Sequence, residues 1–246
     1  AGKARITFPL NINNDNIDEY DEMLIIKIID TTTTNANTGA TRTHILTIID
    51  DDLPPSVEFL SSNTTVSESV GKHYLILSLS NQSGKDISVN YQVQPTSSAV
   101  FGQDYSIESG TSYFPAGKTR DTLNILIIND PIDEPKQYIV LALSQPVNAS
   151  IGLKSMHTVK INDDDPPPYV YIDNEKGSGL ESDSSQFIAY SLSSYSEKEV
   201  TVNYRVSTYG TTSKKNKDYL LENGSMIIPA GPPGKSGISF TVIDDE

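Results

Sequence analysis

The chain has 246 residues, enough for about two domains on length alone. Its 32 acidic and 18 basic side chains give a formal net charge of -14, which argues against nucleic-acid binding and against docking on anionic lipid, since both need a basic face. There is no cysteine, so disulfides and zinc–thiolate sites are excluded, and no apolar run is long enough to span a bilayer as a helix. No signal peptide opens the chain, and Ala1-Gly2-Lys3 reads as the middle of a repeat, so a stretch of a longer protein is expected.

In chain order the pattern is β throughout. An acidic phrase, Asn14-Asp15-Asn16-Ile17-Asp18-Glu19, precedes an apolar run over residues 23–29. Residues 31–39 read as a hairpin loop, and a strand opening near His44 ends on Asp50-Asp51-Asp52-Leu53-Pro54-Pro55. Residues 74–79 suit a sandwich-core strand, and Asn81-Gln82-Ser83-Gly84 signals a turn. Ile87, Val89, Tyr91 and Val93 alternate with polar residues, the period of two of a strand with one buried face. After a turn at Glu108-Ser109-Gly110 come apolar runs at 123–128 and 137–143, with a second acidic phrase, Asn129-Asp130-Pro131-Ile132-Asp133-Glu134, between them. A strand from His157 ends on Asp163-Asp164-Asp165-Pro166-Pro167-Pro168, and residues 200–206 repeat the earlier alternation. No segment shows helical periodicity.

The chain overlays on itself. Val57-Glu58-Phe59 recurs as Val170-Tyr171-Ile172, and Val89-Asn90-Tyr91 as Val202-Asn203-Tyr204, both 113 residues on. Asp104-Tyr105 recurs as Asp218-Tyr219, and Pro115-Ala116-Gly117 as Pro229-Ala230-Gly231. A period this long marks tandem domains rather than a short solenoid repeat. The expected division is 1–53, the end of one repeat; 54–165, a complete repeat; and 166–246, most of a third. About seven short strands in about 110 residues predict an all-β fold of tandem immunoglobulin-like Greek-key sandwiches.

These elements resemble Calx-beta domains over essentially the whole chain. The matching features are Ser67-Glu68-Ser69, the Gly-x-Asp-Tyr at residues 102–105, Pro115-Ala116-Gly117, the acidic phrase before a long apolar strand, and the terminal aspartate triplet. The resemblance implies a sandwich that binds Ca2+ in loops at one end, near the next domain. The ligands it implies in the complete repeat are Glu68, Asp104, Asp130, Glu134, Asp163, Asp164 and Asp165. In the first repeat they are Asp15, Glu19, Glu22, Asp50, Asp51 and Asp52; in the third, Glu181, Asp218, Asp244 and Asp245. Asn129 and Gln137 stand where the family often has carboxylates, so fewer or weaker ions are expected.

The chemistry is consistent with that implication. Calcium takes roughly six to eight oxygens at loose angles. Two like charges about 4 Å apart repel by about 1 kcal/mol in water and about 4 kcal/mol at an effective dielectric near 20. The bland alternative is a set of solvated turn aspartates; it suits a lone Asp-Asp better than a constellation that repeats with the domain. His44 and His157 read as equivalent strand residues at a rim, His73 has no partner visible in sequence, and no nucleophile–base pattern points to an enzyme. The expected function is structural: a calcium-stiffened stalk of a large extracellular adhesin or surface fibre, bacterial, whose partners are calcium ions, neighbouring repeats and an unidentified surface or protein ligand. The alternative is a regulatory calcium sensor of the sodium–calcium exchanger type.

Overall fold

The computed structural model describes residues 5–29, 35–231 and 236–244. Among these residues the regular structure is strand throughout, apart from a 3-10 turn at Glu68–Val70. The expected matches of residues 1–3, and part of the expected hairpin loop at 31–39, lie outside the described residues.

The complete unit is built from β3 (Ser56–Phe59), β4 (Asn63–Ser67), β5 (Lys72–Leu79), β6 (Ile87–Val93), β7 (Tyr105–Ser106), β8 (Gly110–Phe114), β9 (Arg120–Ile127), β10 (Gln137–Val147), β11 (Ser150–Ile151) and β12 (Met156–Asn162). One sheet runs β4-β12-β10-β6-β8 and the other β11-β3-β5-β9-β7. The strands outnumber the seven expected partly because the first one changes sheets: β3 pairs antiparallel with β5, and after residues 60–62 β4 pairs parallel with β12. Splitting an edge strand lets it cover both layers of a twisted sandwich.

Alternating burial follows the alternating sequence. Ile87 and Val89 of β6, Leu123, Ile125 and Ile127 of β9, and Ile139 and Leu141 of β10 point between the sheets. They meet Val57, Phe59, Leu77, Phe114, Val159 and Ile161 in one cluster. This apolar layer holds the loops at the sandwich ends, where the acidic phrases lie.

The first repeat contributes an antiparallel pair, β1 (Glu22–Lys27) and β2 (Thr43–Ile48), in the places of β10 and β12. The third contributes β13 (Val170–Ile172), β14 (Gln186–Leu192), β15 (Val200–Tyr204), β16 (Tyr219–Leu220), β17 (Gly224–Ile228) and β18 (Ser236–Val242). The order β13-β14-β18-β16 reproduces β3-β5-β9-β7, and the β15–β17 pair reproduces β6–β8.

His157 does not take the rim position expected of it. It is fully buried against Phe59, with ring centroids 5.4 Å apart. Its Nδ1 lies 2.7 Å from the Ser61 carbonyl and so donates to it. Its Nε2 is then free to accept from the Thr64 hydroxyl at 3.0 Å, and Thr64 Oγ1 in turn lies 3.0 Å from His73 Nε2. His73 therefore has the partner that its sequence neighbourhood hides. Burial holds both imidazoles below the usual histidine range, so they serve the core as neutral groups.

Leu77→Ala and Ile139→Ala, both at fully buried positions, should each cost about 2–5 kcal/mol in urea denaturation. Thr122→Ala, on the exposed face of β9, should change stability by less than about 0.5 kcal/mol.

Candidate metal centre

The strand register of the complete repeat brings the acidic segments together. Ser67 at the end of β4 lies beside Asn162 at the end of β12, so Glu68 and residues 163–165 leave the sheet as neighbours. Gln137 at the start of β10 pairs with Ile161, which sets the 129–134 loop beside the triplet. Tyr105 of β7 pairs with Ile127 of β9, and the Ile128 amide donates to the Asp104 carbonyl at 2.9 Å, placing Asp104 at the same end. Loops far apart in sequence thus converge because their strands end at one edge.

Two carboxylate groups are close enough to share an ion: Glu68 with Asp164 and Asp165, and Glu68 with Asp130 and Glu134. In each, the ligand oxygens lie within 4.8 Å of one another. Glu68 belongs to both and is 3% exposed. Its Oε1 accepts the Asp130 amide at 2.7 Å, while its Oε2 is buried without a partner. Asp165 Oδ2 is likewise buried and unpartnered, although the Asp165 amide donates to Asp163 Oδ1 at 3.3 Å. Buried acceptors without donors are costly, and a hard cation is one way of satisfying them. The donor set therefore fits calcium: all-oxygen, anionic and drawn from several loops.

The electrostatics agree. Burial, followed by the charges of Asp104, Glu197, Asp130 and Glu68, pushes the Glu134 carboxyl up to about 8. Burial first, and then neighbouring carboxylates, also raise Glu68 and Asp165, although the Asp130 amide partly offsets this at Glu68. Gln137, standing where the family often has a carboxylate, donates from Nε2 to Glu134 Oε2 at 3.1 Å.

The other expected ligands are placed unevenly. Asp104 is buried at the same end, and its side chain accepts the Val100 amide. Asp163 is held by Lys198, with Nζ 2.9 Å from Oδ2, and belongs to neither carboxylate group. In the first repeat, Asp15, Glu19, Glu22, Asp50, Asp51 and Asp52 line one cavity of about 320 Å³. Glu22 pairs with Ile48 as Gln137 does with Ile161, and desolvation, followed by the charges of Asp50, Asp51 and Asp15, raises Asp52. In the third repeat, Glu181 and Asp218 share the wall of a cavity of about 430 Å³, while Asp244 is exposed. Asp245 lies outside the described residues.

The Gly-x-Asp-Tyr feature has a local cause. Gly102, at φ +83, donates its amide to the Tyr105 carbonyl at 2.8 Å. In the third repeat Asn216, at φ +65, makes the same bond to Tyr219 at 2.9 Å. Asparagine tolerates the left-handed region better than most residues, so the aspartate is presented alike without the glycine.

Sequence reasoning passed over two carboxylates. Asp18 and Asp133 lie inside the acidic phrases, yet both are buried and face the following repeat, where each meets a lysine. The available signal was the recurrence of Lys85 as Lys198, 113 residues on.

The Calx-beta domain family model matches residues 1–52, 50–165 and 163–246, so the chain belongs to the Calx-beta family. No curated protein matched the chain. Among solved structures, the two-domain CBD12 of CALX1.2 is 19% identical with a TM-score of 0.43, covering 78% of this chain and 76% of its own. The apo-form Calx CBD1 domain is 25% identical at 0.43, covering 45% and 98%. A two-domain protein of unknown function from Bacteroides fragilis is 11% identical at 0.35, covering 78% and 86%.

Glu134 titrates near 8 when folded, against an ordinary 4.5, so between those values the folded chain binds more protons than the unfolded one. Its contribution therefore falls as pH rises through that window. In chelator, Glu134→Gln should gain stability relative to the parent between about pH 5 and about pH 8, measured by urea denaturation at each. Comparison with the variant cancels His73 and His157, whose contributions run the other way. An identical stability gap at both pH values would contradict the assignment.

Proposed function

We propose that these Calx-beta domains bind Ca2+ at the junction end of each sandwich, and that the chain is part of a calcium-stiffened stalk of a large extracellular adhesin or surface fibre, bacterial in origin. The observation that carries the reading is the pair of buried, unpartnered oxygens, Glu68 Oε2 and Asp165 Oδ2, inside a carboxylate cluster assembled from separate loops. In the complete repeat the ion would be held by Glu68, Asp130, Glu134, Asp164 and Asp165, with Asp104 adding charge behind them. The ion supplies the positive charge that lets these groups ionise together. Extracellular modules commonly bind calcium at about 10⁻⁴–10⁻³ M, a concentration met outside cells rather than in the cytosol.

The stalk role is supported by organisation. Three consecutive family matches form an array. Leu53-Pro54-Pro55 and Pro166-Pro167-Pro168 restrict the backbone where one unit hands over to the next. The acidic triplets end within one residue of those prolines, so an ion that orders a triplet also orders the chain's exit.

Two measurements test this. Asp164→Ala should weaken calcium binding at least about tenfold, as loss of a direct charged ligand from a small set would. Asp86→Ala should leave binding unchanged, because Asp86 holds the Tyr113 hydroxyl and the Ala116 amide instead. Small-angle scattering on a protein of three complete repeats should give a greater maximum dimension in calcium than in chelator. Binding with no change in dimension would remove the stiffening role and favour the regulatory sensor.

A further inference from the structure

We propose that each repeat carries a preformed socket for the repeat before it: a Ser-x-Lys turn that grips an aspartate of the preceding acidic loop and sets the angle between neighbours without needing the ion. A uniform pitch along a stalk would be its consequence, and that consequence rests on the stalk reading above.

The same contacts occur at both junctions. At the first, the Asp18 carbonyl accepts the Gly84 amide at 2.9 Å and the Ser83 hydroxyl at 3.0 Å. Asp18 Oδ1 accepts Lys85 Nζ at 2.7 Å. At the second, the Asp133 carbonyl accepts the Glu197 amide at 2.9 Å and lies 3.2 Å from the Ser196 hydroxyl. Asp133 Oδ1 accepts Lys198 Nζ at 2.6 Å, and Oδ2 lies 2.9 Å from Ser196 Oγ. Asp18, Ser83, Asp133 and Ser196 are all at most 4% exposed. Each lysine also reaches the preceding triplet, Lys85 to Asp50 at 3.8 Å and Lys198 to Asp163 at 2.9 Å.

Each socket is held by its own repeat. The Ser83 carbonyl accepts the Gly117 amide at 2.8 Å, and the Ser196 carbonyl accepts that of Gly231 at 3.2 Å. These glycines close the Pro-Ala-Gly turns at φ +83 and +124, where a side chain would be strained. That gives the recurring Pro-Ala-Gly a purpose the ion site leaves unexplained. Within each turn, Ser Oγ accepts the lysine amide, at 3.0 Å for Lys85 and 3.1 Å for Lys198.

What recurs is what the clasp uses. Serine and lysine return at 113 residues and aspartate at 115, whereas the residue between serine and lysine changes from Gly84 to Glu197 and gives the clasp its amide in both cases. Neither Asp18 nor Asp133 belongs to the carboxylate groups close enough to share an ion. A buried carboxylate met by an amide-anchored loop, a hydroxyl and an ammonium is already satisfied, so the junction forms from the chain's own groups.

The test uses the full chain. It has no native cysteine, so Asn124→Cys and Thr201→Cys, on exposed strand positions of the middle and third repeats, take spin labels alone. Pulsed electron paramagnetic resonance then reads the inter-repeat distance in calcium and in chelator. The parent should keep one main distance population in both, with a minor spread of bent arrangements in chelator that calcium removes. Ser196→Ala with Lys198→Met should at least double the width in both conditions while calorimetric calcium binding persists. Asp133→Asn, which leaves the third repeat unaltered, should broaden it in the same direction and guards against misfolding of the double variant. A parental distribution in Asp133→Asn, or in a folded double variant, overturns the clasp and leaves the calcium reading standing. A narrow parental distribution with no calcium heat, broadened by the variants, upholds the clasp and removes the calcium reading.

Discussion

Like charge gathered at the end of a sandwich is the constraint on which the rest of this structure depends. The apolar cluster between the sheets fixes where β4, β9, β10 and β12 end, and those ends carry Glu68, Asp130, Glu134 and the 163–165 triplet. Each carboxylate brought to that edge raises the cost of ionising the others. At about 4 Å and an effective dielectric near 20, each such pair costs about 4 kcal/mol. The fold accepts this by leaving Glu134 protonated to unusually high pH and by keeping two oxygens without donors. A site of this kind is inexpensive to complete with a doubly charged cation and destabilising when left without one.

The chain also offers a second way of neutralising carboxylates. Lys85 and Lys198 take Asp18 and Asp133 out of the crowd, and Lys198 engages Asp163 as well. The acidic phrases therefore divide their labour. Residues such as Asp130 and Glu134 face inward to their own sandwich, while Asp133, one position away from Glu134, faces the next. Such a division explains how a single loop can serve both an ion and a neighbour.

Much of the fold was legible in the sequence because strands with one buried face write themselves as alternation. Ile87, Val89 and the 137–143 run needed no more than that period, and the 113-residue recurrence declared the tandem arrangement. The convergence of Glu68, Asp130 and the triplet was legible only through the family resemblance, because which strand ends adjoin depends on long-range register. The roles of Asp18, Asp133 and His157 were hidden for related reasons. An aspartate in an acidic phrase looks like a ligand until its lysine, 67 or 65 residues away, is placed beside it. A lone histidine at a strand start looks peripheral until Thr64 and Ser61 close over it.

The most direct test of the central claim is a calcium titration of the full chain by isothermal calorimetry, paired with melting in calcium and in chelator. The account predicts saturable binding with a dissociation constant of about 10⁻⁴–10⁻³ M, and a melting temperature that rises with occupancy as native-state binding requires. No heat beyond dilution, together with melting curves that coincide in about 5 mM calcium and in chelator, would show that the crowded carboxylates are tolerated without a cation and would contradict the account.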